Sequence, residues 1–310
     1  MDLLFFGSGA FGLPTLRALT ERHAVRAIVS QPDRPSGRGK RQAATPIAEW
    51  AAEHAPQIAL YKPDRVNEES IREMLRATPT QAWVVIAFGQ KLGQKLLADR
   101  FSINLHASLL PRWRGAAPIH AAILGGDTET GNSVITLADR MDAGEVLGQS
   151  HRPIDPTLTA GEMHDLLAGD GPELVLDVLA RFEAGTLEPQ TQDESLVTLA
   201  SKLSKGDGVL DFTQPAEALR RRVHGLTPWP GVAVALAGVR LKLLRVEPGP
   251  AVSEQAPGRL ADPAEGLVSC GGEASLRLLE VQPAGKRAMP WSAFAAGRSI
   301  ESGAALENPS

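Results

Sequence analysis

The chain has 310 residues, 43% hydrophobic and 22% charged, the balance of a folded protein rather than a disordered or fibrous one, and at roughly 150 residues per domain its length predicts two domains. Its single cysteine, Cys270, can neither close an intramolecular disulfide nor build a thiolate metal cluster, which excludes a disulfide scaffold and a zinc ribbon and favours a reducing compartment. The formal net charge of −4 supplies no global positive field for nucleic acid, so any polyanion contact has to come from local patches.

The opening MDLLFFGSGAFG carries Asp2 where a secretory leader would carry lysine or arginine. No apolar run reaches the roughly 18 residues of a membrane span, and a cytoplasmic protein is expected. Short apolar runs at residues 3–7, 24–30, 58–61, 82–89 and 102–107, most with β-branched or aromatic residues, read as buried strands. Helical patterns lie between them, as over 46–55 and 67–77. This alternation predicts an α/β fold with a Rossmann-like, open, mostly parallel sheet and right-handed crossovers, which binds ligands beyond the carboxyl ends of its strands. A sixth strand is expected at 133–137. Helical periodicity over 162–167 is expected to break at Gly169, Asp170 and Gly171 and to restart at Pro172, because proline suits a first turn. The stretch 186–205 is polar and aperiodic, the pattern of a linker. Beyond it, a helix at 216–224 and the runs VAVALAG, VRLKLLRV, GRLAD, GLVSC and ASLRLLEV predict a small antiparallel, OB-like β-barrel. The expected organisation is a catalytic domain over 1–185, a linker over 186–205 and a C-terminal domain over 206–310.

Gly7, Gly9 and Gly12 form GxGxxG between a strand and a helix, the context of a dinucleotide-binding loop. The acidic residue that should end the second strand is missing: that strand ends in Ser30 and Gln31, with Asp33 inside a Pro/Gly loop. A nicotinamide-dependent oxidoreductase is an alternative on this motif alone; close packing at the turn accounts for the same glycines. The segment NLHASLLPRWRG is richer. Asn104 and His106 alternate onto one face at the carboxyl end of the sheet, and with Asp142 of MDAG they combine a neutral donor, an imidazole and a carboxylate, a set suited to acyl transfer. Taken singly, a strand-end histidine is often a hydrogen-bonded core residue and a turn aspartate a cap. Phe88 and Gly89 end the fourth strand beside the same mouth, which favours a pocket edge for Phe88 over plain core. Trp113, Trp229 and Trp291 invite a stacking role, although most tryptophans pack in cores or rims. The seven histidines include no i, i+4 pair flanking a glutamate, and no metal is expected.

Asn104, His106, Ser108-Leu109-Leu110-Pro111, Arg114-Gly115 and Asp142 together resemble the signature of the 10-formyltetrahydrofolate-dependent formyltransferases. The resemblance implies Asn104, His106 and Asp142 as catalytic residues. It implies Phe88, Gly89, Ser108, Leu109, Leu110 and Pro111 around the folate, and 10-formyltetrahydrofolate as formyl donor without a metal. Branches of that family acting on glycinamide ribonucleotide, amino sugars and methionyl-tRNA share this core. Further segments are similar to the methionyl-tRNA branch: the basic loop SQPDRPSGRGK over 30–40, which there enters the tRNA acceptor end, KLSK over 202–205, TPWPG over 227–231 and QPAGKRAM over 282–289. The similarity spans nearly the whole chain. The opening GSGAFG, His120, ITLADRMDAG and the final PWSAFAAGRSIESGAALENPS depart from the pattern and leave Asp142 in register. Implied, then, is formyl transfer to the α-amine of methionyl initiator tRNA, priming translation initiation, by a monomer with no membrane and no obligatory protein partner. A formyltransferase acting on an amino-sugar nucleotide is the alternative within the family.

Arg34, Arg38, Lys40 and Arg41 set four positive charges against Asp33 on a segment carrying Gly37 and Gly39, chemistry that suits phosphate. From charge alone, a solvated surface loop fits equally. The resemblance assigns these four residues, with Lys202 and Lys205, to tRNA. Arg220, Arg221 and Arg222 follow one another on a predicted helix, and sequence neighbours do not share a helix face. An RNA-binding adaptor built on the barrel is the non-enzymatic alternative.

Overall fold

In the computed structural model, residues 1–36, 41–252, 255–272 and 274–308 are described. They form two compact units, one from Met1–Gly115, Thr130–Arg152 and His164–Leu199, the other from Ala116–Glu129, Pro153–Met163 and Ala200–Ser310.

The first unit is built on seven strands: β1 (Asp2–Gly7), β2 (Ala24–Val29), β3 (Ala59–Tyr61), β4 (Ala82–Ile86), β5 (Phe101–His106), β6 (Glu129–Thr136) and β7 (Val146–Pro153), ordered β7-β6-β5-β4-β1-β2-β3. The pairs β1/β2, β1/β4, β2/β3 and β4/β5 are parallel, and β5/β6 is antiparallel. Leu3–Phe6 of β1 are wholly buried, as a strand covered on both faces requires, which is why these strands read as unbroken apolar runs. The run 82–89 stops being strand at Ile86, because Ala87 and Gly89 take positive φ angles of 47° and 84°. The sixth strand starts earlier than expected, at Glu129, and β7 adds an edge that the polar sequence LGQSHRP did not announce.

The expected helix break at Gly169–Gly171 does not occur. One 24-residue helix runs Ala160–Glu183 with Pro172 inside it. Proline removes one hydrogen bond from a helix interior, and packing on the sheet outweighs that loss. Gly171 serves close approach rather than a turn: a Cβ there would lie 2.7 Å from Leu105 Cδ2, so a side chain would push the helix off the strand that carries Asn104 and His106.

In the second unit, β8 (Val232–Leu236), β9 (Val239–Gly249), β10 (Leu260–Asp262), β11 (Leu267–Ser269), β12 (Ser275–Pro283) and β13 (Leu306–Glu307) follow the order β10-β11-β12-β9-β8-β13. The pairings are antiparallel, and the sheet curls into a near-closed barrel. Alternation is explicit in β8, where Val232, Val234 and Leu236 face the core while Ala233 and Ala235 do not. The helix Ala216–Gly225 covers this core with Leu219 and Val223. Cys270 is buried at the same core, and burial pushes its thiol above the ordinary cysteine value. Among the described residues no helix is long and apolar enough to cross a membrane.

The helix 216–225 is tied down by His224, which lies buried between the Pro156 carbonyl, 3.0 Å from Nδ1, and the Val246 amide, which donates to Nε2 at 3.2 Å. A carbonyl only accepts and an amide only donates, so the ring is held neutral with its proton on Nδ1. Burial first, and then Arg220 and Arg245, hold this histidine below its ordinary 6.5, against the opposing effects of the Pro156 carbonyl and Glu162. The unfolded chain therefore binds the extra proton more readily, and the stability that neutral His224 contributes is complete above about pH 6.5 and is lost as pH falls below it. Denaturant midpoints at pH 7.5 and 5.5 should differ more for the wild type than for His224→Asn, which cannot take up the proton; equal pH dependence would remove His224 as a source of acid sensitivity.

Candidate active site

Asn104 and His106 leave β5 on the same face, Asn104 opposite Val85 of β4 and Ile135 of β6, His106 opposite Ser133. His106 is 6% exposed and Asn104 half-buried. The His106 Nε2 lies 2.9 Å from the Trp113 carbonyl, which can only accept, so Nε2 carries a proton. Nδ1 is then the atom turned toward Asp142, 3.7 Å from Oδ2. The ring is oriented by a main-chain carbonyl; Asp142 stands just beyond direct hydrogen-bond reach.

Asp142 itself has φ of 54°, a conformation that costs a non-glycine residue energy and persists only where neighbours enforce it. The Gly115 amide donates to its Oδ2 at 2.9 Å. Its carbonyl accepts from Gln192 Nε2 at 2.8 Å, and the same nitrogen donates to the Gly144 carbonyl at 2.7 Å. Gln192 Oε1 accepts from Arg114 Nε at 3.0 Å, and Arg114 pairs with Glu194, which also takes Arg140. Arg114 first and Arg140 second hold the Glu194 carboxyl below the usual carboxylate range. Sequence reasoning gave Arg114 no role and missed Gln192, which sits in a polar stretch without periodicity.

The loop after β5 is buckled to the antiparallel side of the sheet. Ser133 Oγ donates to the Ser108 carbonyl at 2.6 Å and accepts the Leu110 amide at 3.0 Å, and Gln149 of β7 donates to the Leu110 carbonyl at 3.0 Å. Ser108 Oγ donates to the Arg112 carbonyl. Leu110 is buried with Ile135 and Val146, while Leu109 and Pro111 are half-buried. Phe88 departs from the expected pocket edge. Its ring is 2% exposed and packs edge-on against Phe6 with centroids 5.6 Å apart, because the reversal at Ala87 turns it back into the core. What Phe88 presents to the mouth is its carbonyl, which accepts from Ser8 Oγ and Gln31 Nε2. Exposed Gly89 follows; Ala87, Gly89 and Trp113, all at positive φ, belong to loops at this carboxyl end, and Asp142, also at positive φ, reaches it through Gly115 and His106.

The GxGxxG glycines serve packing. A Cβ on Gly7 would lie 2.5 Å from the Phe5 ring, one on Gly9 3.3 Å from Ala87 Cβ and one on Gly12 3.3 Å from Phe5. At the end of β2, Ser30 is buried and its hydroxyl bonds Thr45 Oγ1 at 2.6 Å, so no carboxylate waits there for a ribose. Trp291 is core beside Phe294, Trp229 is half exposed, and Arg112 lies over the Trp113 ring at 5.0 Å. Among the described residues no group of three or more His, Cys, Asp or Glu could hold a metal ion.

Of the basic loop, Arg34 is exposed on a short hairpin strand, Arg34–Ser36, paired with Arg41–Ala43. Arg38, Lys40 and the Arg41 side chain lie outside the described residues. Asp33, the loop's acid, is paired with Lys62 at 2.7 Å. Lys202 and Lys205 are exposed in the second unit. There too the three consecutive arginines diverge: Arg220 is buried on Glu217 and the Pro156 carbonyl, Arg221 lies over Gly126, and Arg222 holds the carbonyls of Asp207 and Val209.

Comparison with known proteins places this sheet and site in a class. A family model described as formyl transferase matches residues 1–179, and one described as formyl transferase, C-terminal domain, matches 202–299. The chain belongs to the formyl transferase family. Relatives named methionyl-tRNA formyltransferase align along its whole length: one from Solibacter usitatus at 40% identity over 97% of this chain and 96% of its own, and one from Thermus thermophilus at 40% over 99% of each. The sugar 3N-formyl transferase WlaRD, solved in the presence of dTDP and 5-N-formyl-THF, superposes with a TM-score of 0.67 at 12% identity over 93% of this chain and 99% of that one, a likeness of fold alone.

Two glycines near the site should respond differently to alanine. At Gly144 a Cβ would lie 1.7 Å from the Thr136 carbonyl oxygen, so Gly144→Ala forces backbone apart and should cost about 1–3 kcal/mol while displacing Asp142. At Gly89 the nearest neighbour, Gln31 Nε2, is 3.6 Å away, and Gly89→Ala should cost only the left-handed φ, roughly 1–2 kcal/mol. Denaturant unfolding and turnover measured together separate the two: Gly144→Ala should lose both stability and turnover, and unchanged turnover would detach Gly144 from the site.

Proposed function

We propose that this chain transfers the formyl group of 10-formyltetrahydrofolate to the α-amino group of methionyl initiator tRNA, as a cytoplasmic enzyme that needs no protein partner. The observation that carries the chemistry is the arrangement of Asn104, His106 and Asp142, with Nδ1 of His106 facing Asp142 Oδ2 at 3.7 Å. The choice of acceptor is supported by full-length relatives near 40% identity named for methionyl-tRNA, against a sugar-acting neighbour at 12%. Residues 1–185 are the catalytic domain in this reading, 186–205 a connection and 206–310 a tRNA-binding domain.

Attack of an amine on a formyl carbon places negative charge on the formyl oxygen. The Asn104 side-chain amide is the donor for that charge, and one preorganised donor contributes about 3 to 4 kcal/mol. The attacking amine must also lose a proton. His106 Nδ1, bare when Nε2–H is bound to the Trp113 carbonyl, and the Asp142 carboxylate, directly or through water, form its acceptor. Collapse then breaks the bond to the folate nitrogen, which takes a proton in turn, and no covalent enzyme intermediate is required. Phe88 through its carbonyl, Gly89 and the 108–111 loop border the folate. The exposed Arg34 with Arg38, Lys40 and Arg41, and Lys202 with Lys205, meet tRNA phosphates.

Incubating the protein with 10-formyltetrahydrofolate and methionyl initiator tRNA should yield formylmethionine by mass spectrometry. Formylation of an amino-sugar nucleotide with none on the tRNA would select the alternative acceptor. Asn104→Ala, His106→Ala and Asp142→Ala should each lower kcat by on the order of a hundredfold or more with tRNA affinity little changed; a variant that keeps wild-type turnover loses its role. Arg38→Ala should weaken tRNA use and Arg38→Lys restore only part of it, since an ammonium lacks the planar fork. Affinity for tRNA should also fall with rising salt, and salt-independent affinity would remove the basic loop from the contact.

A further inference from the structure

We infer that Gln192 is a positioning residue for the reaction, holding the Asp142 carboxylate in place through a closed ring of hydrogen bonds; this rests on the function proposed above. The ring runs from the Gly115 amide to Asp142 Oδ2 (2.9 Å), from the Asp142 carbonyl to Gln192 Nε2 (2.8 Å), from Gln192 Oε1 to Arg114 Nε (3.0 Å), and through the peptide bond from Arg114 back to Gly115. Asp142 is thus gripped at both ends, by its carboxylate and by its carbonyl, while its φ of 54° supplies a standing tendency to relax. The second Gln192 proton goes to the Gly144 carbonyl at 2.7 Å, so one amide spans the turn that carries the carboxylate.

The chemistry of the amide leaves it a single orientation. With Oε1 toward the guanidinium and Nε2 toward two carbonyls, each contact pairs a donor with an acceptor. A flipped amide would set donor against donor and oxygen against two oxygens. Gln192 is 7% exposed and Arg114 3%, so water cannot readily substitute for lost contacts. Glu194 and Arg140 extend the arrangement: Arg114 Nη2 bonds Glu194 at 2.9 Å and Arg140 bonds the other oxygen at 2.8 Å, which ties the segment after Gln192 to the residues just before Asp142. A stretch with the composition of a linker therefore supplies part of the support of the active site.

The test is a mutant cycle with two variants. Gln192→Leu removes all three bonds at similar volume; Gln192→Glu keeps the bond to Arg114 and sets an oxygen against the carbonyls of Asp142 and Gly144. Each should lower kcat about tenfold or more while KM for 10-formyltetrahydrofolate and for methionyl initiator tRNA stays within about twofold. In an Asp142→Ala background either substitution should change kcat by less than about twofold, because the residue acts through a carboxylate no longer present. Hydrogen exchange at amides 140–146 should speed up in both variants with the barrel's exchange unaltered, a readout independent of activity. Wild-type kcat in Gln192→Glu, a full multiplicative loss in the Asp142→Ala background, or unchanged exchange at 140–146 would overturn the inference. A wild-type protein that makes no formylmethionine would instead overturn the proposed function, leaving the exchange result to judge the ring by itself.

Discussion

The Gly115 amide, donating to Asp142 Oδ2 at 2.9 Å, joins two loops that come from different places in the sheet. One follows β5, which ends at His106, and carries Trp113 and Gly115; the other follows β6 and carries Asp142. This bond fixes the carboxylate directly, since the imidazole lies 3.7 Å from it, beyond direct hydrogen-bond reach, and Gln192 holds only the main chain of Asp142. β6 lies antiparallel beside β5 and runs from Ser133, opposite His106, down to Thr136, opposite Ile103, so the segment after it has to return along the sheet, and the bond to Gly115 fixes where Asp142 ends up. The helix Ala160–Glu183 then covers β5 closely enough to forbid a side chain at Gly171. Sheet order, helix contact and loop closure converge on the placement of one carboxylate.

Strands buried on both faces were legible because their requirement is compositional: β1 and β4 must be apolar throughout, and LLFF and AWVVI are. Asn104 and His106 were legible because alternation alone puts them on one face. The edge strand β7 was not, since an edge faces less core and tolerates LGQSHRP. The uninterrupted helix is not legible because glycine and proline are ambiguous signals. Gly171 answers to a neighbour 66 residues away in sequence, Leu105, and no local pattern carries that information. The burial of the Phe88 ring is illegible for a similar reason, one positive φ at Ala87 being enough to turn the ring into the core and leave the carbonyl facing Ser8 and Gln31. Gln192 left no trace at all, because its partners are main-chain carbonyls and one guanidinium, and carbonyls have no sequence.

Charge is arranged locally rather than globally. The net charge is −4, so a basic surface has to be local. Lys62 pairs with Asp33, the acid of the hairpin loop, a half-exposed pair that adds little stability and offsets the one negative charge in that loop. The arginines of 220–222 are spent otherwise, on a carboxylate and backbone carbonyls of their own unit, so a basic run in sequence is not a basic patch in space.

Cys270 has a practical bearing. The chain's one thiol is buried against the barrel core and held above its ordinary value, and the thiolate is the reactive form. The native protein should therefore react slowly with maleimides at neutral pH. A cysteine introduced at an exposed position such as Lys202 can carry a fluorophore or spin label without first removing the natural one, giving a site-specific reporter on an unmodified core.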